Sequence, residues 1–355
     1  MLLFGEQPKC GCFYIMKQVK EVARRREKYP DKIKNLPLSR GIISERWKTM
    51  FFKKVAKHIR DYWALHVMAL PGVIAVFIFS YLPKFGVIVA FQRFNYKKGF
   101  FGSKFVGLDN FKFLFQTTDA WIITRNTVCY NAVMILLNTT LAVILAMILN
   151  EVKSKKLAKY IQTVYMMPHF LSATAVSMIL FCFLADTNGL VNSLYRSLGW
   201  ETRNWYMTKS IWPVTLVLVS SWMHVGYSSI IYLATITGIS PEYYEAAMID
   251  GANRIQQARY ITLPHLRAIL TIMLIRSIGS IFYGDFGLFY SVPRDSGSLF
   301  SVTNVIDTYI FRALKNEANY GMSSAAALYQ SVVGFVLMIG ANAVVTKISP
   351  EYAMF

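Results

Sequence analysis

Long apolar runs separated by short polar, basic loops set the rhythm of this chain. Six runs approach or exceed the roughly 20 residues that a helix needs to cross a bilayer. They lie at about 63–83, 126–149, 160–184, 211–236, 266–290 and 322–346. The pattern predicts an all-α integral membrane protein with six transmembrane helices over 63–350. Pro71 and Pro83 mark the first span, and Pro168-His169 interrupt the third. Ala325–Ala327 give the sixth the small residues that let helices pack closely. Between the third and fourth spans, Gly189–Asn192 and Asn204-Trp205 suggest a short helix lying along the outer surface. Residues 1–62 stand apart as a polar extension, in which 45–62 read as a basic amphipathic helix on the inner leaflet. Residues 351–355 form a short tail.

One stretch breaks the apolar pattern. Glu245 to Pro264 reads EAAMIDGANRIQQARYITLP, a polar island between the fourth and fifth spans. Ser240-Pro241 before it form a helix start, since serine caps orphan N–H groups and proline is tolerated at the first helical position. A helix over 241–250 follows, with Gly251 where a glycine ends a helix. A second helical pattern runs over 253–262, and Pro264 ends or kinks it. Ala246 and Ala247 remove side-chain bulk, so another surface can approach the helix backbone. Gly251 permits a left-handed turn, and Glu245 leaves a charge for a basic partner residue.

The loop over 240–264 resembles the cytoplasmic coupling loop of the permease subunits of bacterial ABC importers. That pattern is E-A-A, three residues, G, nine residues, I-x-L-P. Glu245, Ala246, Ala247, Gly251, Ile261, Leu263 and Pro264 fill it without departure. The resemblance implies the type I importer permease architecture, in which this loop docks into a groove on an ATPase. An ordinary amphipathic loop between two membrane helices is the plainer reading of the same residues.

Composition supports a membrane protein. The chain is 55% hydrophobic and only 16% charged, with a mean hydropathy of +0.38. A net charge of +19 would suit nucleic acid. Here, however, Lys and Arg pile up beside the apolar spans, as orientation signals and contacts with anionic lipid do, so no nucleic-acid partner is expected. Residues 1–62 hold 16 Lys or Arg against six acidic residues. Together with the 150–159 loop, the 238–267 loop and residues 347–355, that side of the membrane carries 24 Lys and Arg, against 13 on the other. Basic residues favour the cytoplasmic side, so both termini and the 240–264 loop are expected inside. No signal-peptide pattern is visible, and Met16 is an alternative first residue. Cys10 and Cys12 would supply only half of a zinc site, while Cys129 and Cys182 fall in apolar spans and read as packing residues.

Further stretches resemble the polysaccharide and oligosaccharide branch of these permeases. They are Tyr81, Pro83 and Gly86, then Val106 to Phe111, Tyr165 to Phe170, and Tyr283 to Pro293. The resemblance implies a heterodimer with a second permease, a separate dimeric ATPase, and an extracellular solute-binding lipoprotein that delivers a carbohydrate for alternating-access transport across the cytoplasmic membrane. No G-x-x-x-x-G-K-[ST] loop occurs in the chain. The chain is therefore expected not to be an enzyme and to hold no cofactor or metal, with ATP and magnesium on the partner ATPase. Asp285, with Tyr283, Phe286 and Tyr290 around it, has the composition of a sugar site, because a carboxylate accepts hydroxyl hydrogen bonds while rings stack on the sugar. Trp222 in the fourth span is a weaker candidate for the same pathway. His169 is read as a gating or proton group, or as a hydrogen-bonded packing residue. Arg276 and Asp285 are nine positions apart, about 180° around one helix, which sets them on opposite faces. A permease for a non-sugar solute is the first alternative. An ion-coupled carrier is the second; it would need several buried acids, and only Asp285 qualifies.

Overall fold

The computed structural model describes residues 60–112 and 118–352. The expected amphipathic helix over 45–62, apart from its last three residues, lies outside the described residues, as do Cys10, Cys12 and the end of the tail. Two compact units divide the chain, one reaching Tyr81 and one beginning at Leu82.

In the first unit, α1 (Trp63–Val76) carries Pro71 inside it and passes into a π-helical turn over Phe77–Tyr81, where Phe77 stacks on Tyr81. The run Trp63–Phe91 is long and apolar enough to cross a membrane. The second unit opens with a 3-10 helix, Leu82–Phe91, and a two-stranded antiparallel ribbon of β1 (Gln92–Arg93) and β2 (Lys104–Phe105). The Asn110 amide donates to the Ala90 and Gln92 carbonyls and fastens the ribbon to the helix end.

Five long helical pieces follow. They are α2 (Thr118–Asn150), α3 (Lys155–Met166) with α4 (Ala173–Leu184), α6 (Trp212–Thr237), α9 (Leu263–Gly279) and α12 (Tyr320–Ile348). Among the described residues, five helices meet the length and composition needed to span, or six if the bent pair around Pro168 counts as one. That pair turns through 97°. The cause is local: Pro168 cannot donate a hydrogen bond, Leu171 is extended, and Ser172 caps the new helix by accepting from the Ala175 N–H at 3.2 Å.

The fifth span departs from expectation. A single helix over 266–290 was the reading of the apolar pattern, but α9 stops at Gly279, the chain runs irregularly over 280–285, and a short helix, α10 (Phe286–Ser291), restarts it. Pro264 does not end a helix either. It sits in the first turn of α9, directly after a π-helical turn over Ala258–Thr262. Between α4 and α6, α5 (Leu190–Ser197) is the expected short helix, and buried Asn192 ties it down by donating to the Asp186 and Arg203 carbonyls and accepting from Trp205 Nε1. One amphipathic helix, α11 (Ile306–Glu317), was not foreseen.

Two apolar clusters hold the second unit together. One joins Tyr130, Trp212, Leu216, Leu288, Phe289 and Leu299. The other joins Ala142, Ala146, Tyr232, Ile236 and Leu266. The tightest contact is between α6 and the end of α3. A Cβ on Gly226 would lie 2.0 Å from the Tyr165 carbonyl oxygen, so only glycine lets the two backbones meet. Cys129 and Cys182, read as packing residues of apolar spans, are exposed free thiols on outward-facing helix faces, where a small apolar side chain suits lipid.

Candidate functional site

A cavity of about 510 Å³ opens between α2, α6, α9 and the irregular segment after α9. Many polar side chains line it, among apolar ones such as Met134, Ile135 and Met273. α2 contributes Asn131, Asn138 and Thr139; α6 contributes Ser220, His224, Tyr227 and Tyr232; His169 comes from the α3–α4 bend; and Arg276, Ser277, Ser280, Tyr283 and Asp285 come from the end of α9 onward.

The irregular segment forms the cavity's most elaborate side. Once α9 ends, backbone groups of residues 281–284 lose helical partners and need others. Asn131 donates to the Ile281 and Tyr283 carbonyls at 2.8 and 2.9 Å. Gln330 of α12 donates to the Phe282 carbonyl at 2.7 Å. The Gly284 N–H donates to the Asp307 carboxylate, which also accepts from Gln330. Asp285 then caps α10 by accepting from the Leu288 N–H at 3.0 Å. Burial pushes the Asp307 carboxyl above the usual carboxylate range, with the nearby Asp285 charge adding to it and the two donated hydrogen bonds opposing it.

Tyr283 and Asp285 therefore reach the cavity, and Tyr283 is held there by a 2.8 Å hydrogen bond between its hydroxyl and Ser331. Phe286 and Tyr290 do not. α10 turns them together, stacked at 5.0 Å and both packed on Phe311 of α11. Trp222 is about half exposed on another face of α6. The break also changes the geometry of the charges: Arg276 and Asp285, on opposite faces of an unbroken helix, line the same cavity. His169 lies flat on Tyr227, with centroids 4.3 Å apart, and its Nδ1 is buried without a hydrogen-bond partner. His224 stands 5.8 Å away, its Nδ1 facing the Ser220 carbonyl at 2.9 Å.

The second site is the loop at the opposite end of α6. Helix α7 (Pro241–Ile249) begins with Pro241 in its first turn, although the Ser240 hydroxyl makes no capping bond. It ends as the glycine predicts. Gly251 has φ +79°, its N–H donates to the Met248 carbonyl at 3.1 Å, and Ala252 N–H donates to Ala247 at 2.8 Å. These paired bonds are the left-handed glycine stop of a helix. Asn253 then opens α8 (Arg254–Gln257) with a reciprocal cap, its side chain accepting from Gln256 N–H while the Gln256 side chain accepts from Asn253 N–H. One contact ties the loop to the end of α2 and two brace it internally. Arg254 pairs with Glu151 at 2.9 Å, Tyr244 bonds Thr262 at 3.0 Å, and buried Gln257 donates to the Ala252 carbonyl.

Glu245, Ala246 and Gly251 are exposed, while Ala247, Ile261 and Pro264 are half-buried and Leu263 sits at the edge of exposure. The loop also bares an apolar surface that reading the motif alone missed. Ile249 is 87% exposed, Ile255 79% and Tyr260 70%. Apolar residues standing on both sides of a glycine stop were the available signal, since a loop facing only water has no use for them.

Residues 138–350 match the family described as binding-protein-dependent transport system inner membrane component. Protein LplB of Bacillus subtilis (strain 168) is 35% identical over 82% of this chain and 91% of its own length. The chain belongs to this family. A second relative of the permease is the polygalacturonan/rhamnogalacturonan transport system permease protein YteP of the same organism, 32% identical over 81% of this chain and 89% of its own. The permease also superposes on a chain from the crystal structure of a bacterial ABC transporter involved in the import of the acidic polysaccharide alginate. The TM-score is 0.75, at 29% identity, over 83% of this chain and 99% of that one. A related crystal structure of the alginate transporter, in complex with a periplasmic protein bound to an alginate pentasaccharide, matches with a TM-score of 0.73. The all-α architecture with its loop between the fourth and fifth spans is thus the type I importer permease fold, and the permease is a multi-pass membrane protein.

Proposed function

We propose that the permease is one of two transmembrane subunits that together carry a saccharide across the cytoplasmic membrane by alternating access, powered by a separate ATPase. The observation that carries the proposal is the polar cavity beside α9. Its volume of about 510 Å³ falls within the ~300–1,000 Å³ of small-molecule sites. It presents amides, hydroxyls and a stacked Tyr227–His169 pair, which suit a ligand made of hydroxyls and flat ring faces. In the alternating-access cycle, an external binding protein delivers the saccharide to the outer mouth. The ATPase dimer closes on ATP and draws the 240–264 loops of the two permease subunits together, and the pathway then opens to the outside and resets after hydrolysis. Both termini and the loop face the cytoplasm in this arrangement. Glu245 to Gly251 and Ile261 to Pro264 meet the ATPase, with Ile249, Ile255 and Tyr260 adding apolar contact. Tyr283 and Asp285 lie along the pathway.

The test is purification in mild detergent with mass spectrometry of the proteins retained, followed by ATP hydrolysis in proteoliposomes with and without saccharide-loaded binding protein. Recovery of an ATPase and a second permease, with hydrolysis raised by loaded binding protein, is the expected result. Recovery of the chain alone in several detergents would overturn it.

A further inference from the structure

We propose that a groove between α2 and α6 binds one anionic phospholipid, with the Arg125 guanidinium holding its phosphate and an acyl chain lying along the groove. This is a second site, separate from the polar cavity, and it does not depend on what that cavity carries.

The groove has a volume of about 540 Å³ and one charged end. Arg125 and Asn126 stand at that end, near the start of α2. Farther along, Val133 and Leu137 of α2 and Val214, Val217 and Leu218 of α6 line it. Val133, Val214 and Leu218 are exposed, an apolar strip with nothing of this unit over it. The neutral polar groups at the charged end are spent inside the protein. The Asn126 amide donates to the Ser301 and Asn304 carbonyls, and the Tyr130 hydroxyl donates to the Val302 carbonyl at 2.7 Å.

Arg125 is exposed and donates to the neighbouring Asn126 side-chain oxygen at 3.1 Å, which leaves most of its N–H donors for a ligand. No carboxylate lines the groove. Among the described residues, no acid lies within 4.0 Å of the Arg125 guanidinium. Asp119 is six positions earlier on α2, about 120° away around the helix, and Asp295 is taken by Arg312 at 2.6 Å. The guanidinium is a planar fork of donors that matches a phosphate with two parallel hydrogen bonds. The length of the groove fits one leaflet. Arg125 and Leu137 are twelve positions apart, about 18 Å of helix rise, close to the ~15 Å between the headgroups and the mid-plane of a ~30 Å core. An amphipath with one anionic end and an apolar remainder of that length matches both the charge and the reach. A helix of another subunit laid here would take the guanidinium out of water and need an acid of its own inside the membrane, which is costly. A phospholipid brings its phosphate at the headgroup level without that cost, and basic pockets between membrane helices hold lipid headgroups in this way. In the orientation proposed above, the leaflet is the outer one.

The test takes the permease with the subunits that purify with it in mild detergent and places it in phosphatidylcholine vesicles. The vesicles are doped with a phospholipid whose acyl chain carries a photoactivatable group, and the crosslinked peptides are mapped by mass spectrometry. Two probes are compared, phosphatidylglycerol with a net negative charge and phosphatidylcholine with none. The phosphatidylglycerol probe is expected to mark residues 125–137 and 213–218 about tenfold more than the phosphatidylcholine probe, the equivalent of ~1.4 kcal/mol. Arg125→Gln is expected to remove that preference, and Arg125→Lys, which keeps the charge and loses the fork, to retain part of it. Leu218→Trp, which fills the groove and leaves Arg125 in place, is expected to lose the marks of both probes there. Equal marking by the two probes in the wild-type complex would reduce the groove to ordinary bilayer contact and overturn the proposal. Marking that Leu218→Trp leaves unchanged would place the lipid outside the groove, with the same consequence. Unmarked 125–137 and 213–218, beside marked helices elsewhere in the complex, would show that protein covers the groove and would overturn it as well.

Discussion

Asp307 holds two elements together at once, accepting from the Gly284 N–H beyond α9 and from Gln330 of α12. Burial raises its carboxyl above the ordinary range. A raised carboxyl stabilises the fold fully below its unfolded value, and that contribution is lost as pH rises through the folded one. The solubilised protein should therefore lose thermal stability as pH rises above the ordinary carboxylate value of about 4, and Asp307→Asn should flatten that loss while keeping an acceptor for Gly284. Asp307→Ala leaves the half-buried Gly284 N–H unpaired and should cost about 1 kcal/mol, at the low end of such losses. Both effects are read from melting curves in detergent. Gly226→Ala should be worse, above the ~1–3 kcal/mol of ordinary overpacking. Its Cβ meets a backbone oxygen that cannot rotate away, and reduced recovery of monodisperse protein would report it. Asp285 shows what sequence could and could not give at this scale. The sequence proposed it as a saccharide-binding residue; the structure places it on the cavity wall with its hydrogen bond spent as a helix cap. Ser280, Gly284 and Asp285 are together a stop-and-restart signal, and giving them weight over the apolar run would have broken the fifth span where it breaks. Asn131, Gln330 and Asp307, which satisfy that break, come from far along the chain, and no local pattern announces them.

At the scale of the element, the 240–264 loop was the most legible part of the chain, because its instructions are local. A glycine stop, an asparagine cap and a proline in a first turn each act within a few residues, so the two short helices and the turn between them follow from the sequence. The π-helical turn before Pro264 did not follow, since it depends on α9 continuing the same helical run. The loop's rigidity also comes from these local devices more than from its ion pair. The Arg254–Glu151 side chains are 64% and 48% exposed, and such pairs contribute about 0–1 kcal/mol. The reciprocal cap at Asn253 contributes about 0.5–2 kcal/mol on the usual scale of caps. Asn253→Ala should therefore speed hydrogen exchange across 253–262 and weaken the stimulation of ATP hydrolysis by loaded binding protein. Arg254→Ala should change exchange there much less. Equal exchange in the two variants would show that the ion pair sets the loop's order after all.

The Arg254–Glu151 pair matters more for the whole molecule than for the loop's stability. Glu151 follows the end of α2 and Arg254 begins the helical run into α9, so at 2.9 Å the two lie on one side of the membrane. The chain between them must then cross an even number of times. α6 is one crossing, and the bent pair α3–α4 has to be the other. The 97° bend is then a broken span, which makes six crossings among the described residues. A similar constraint marks the opposite side, where the Asn126 amide near the start of α2 donates to the Ser301 and Asn304 carbonyls ahead of α11. The apolar runs predicted this count, but only the contact between distant loops decides it, because length and hydropathy do not separate a broken span from one that re-enters. The excess of Lys and Arg on the side of Glu151 and Arg254, 24 against 13, predicts that this side is cytoplasmic. Cysteines placed one at a time test number and side together. Cys10, Cys12, Cys129 and Cys182 are first changed to serine to remove background. A membrane-impermeant thiol reagent applied to whole cells should then label Lys97→Cys and Lys209→Cys. It should label Lys153→Cys and Glu242→Cys only after permeabilisation. A re-entrant α3–α4 pair would put positions 153 and 209 on one side and 242 on the other, so labelling of 242 in intact cells with protection of 209 would reject six crossings.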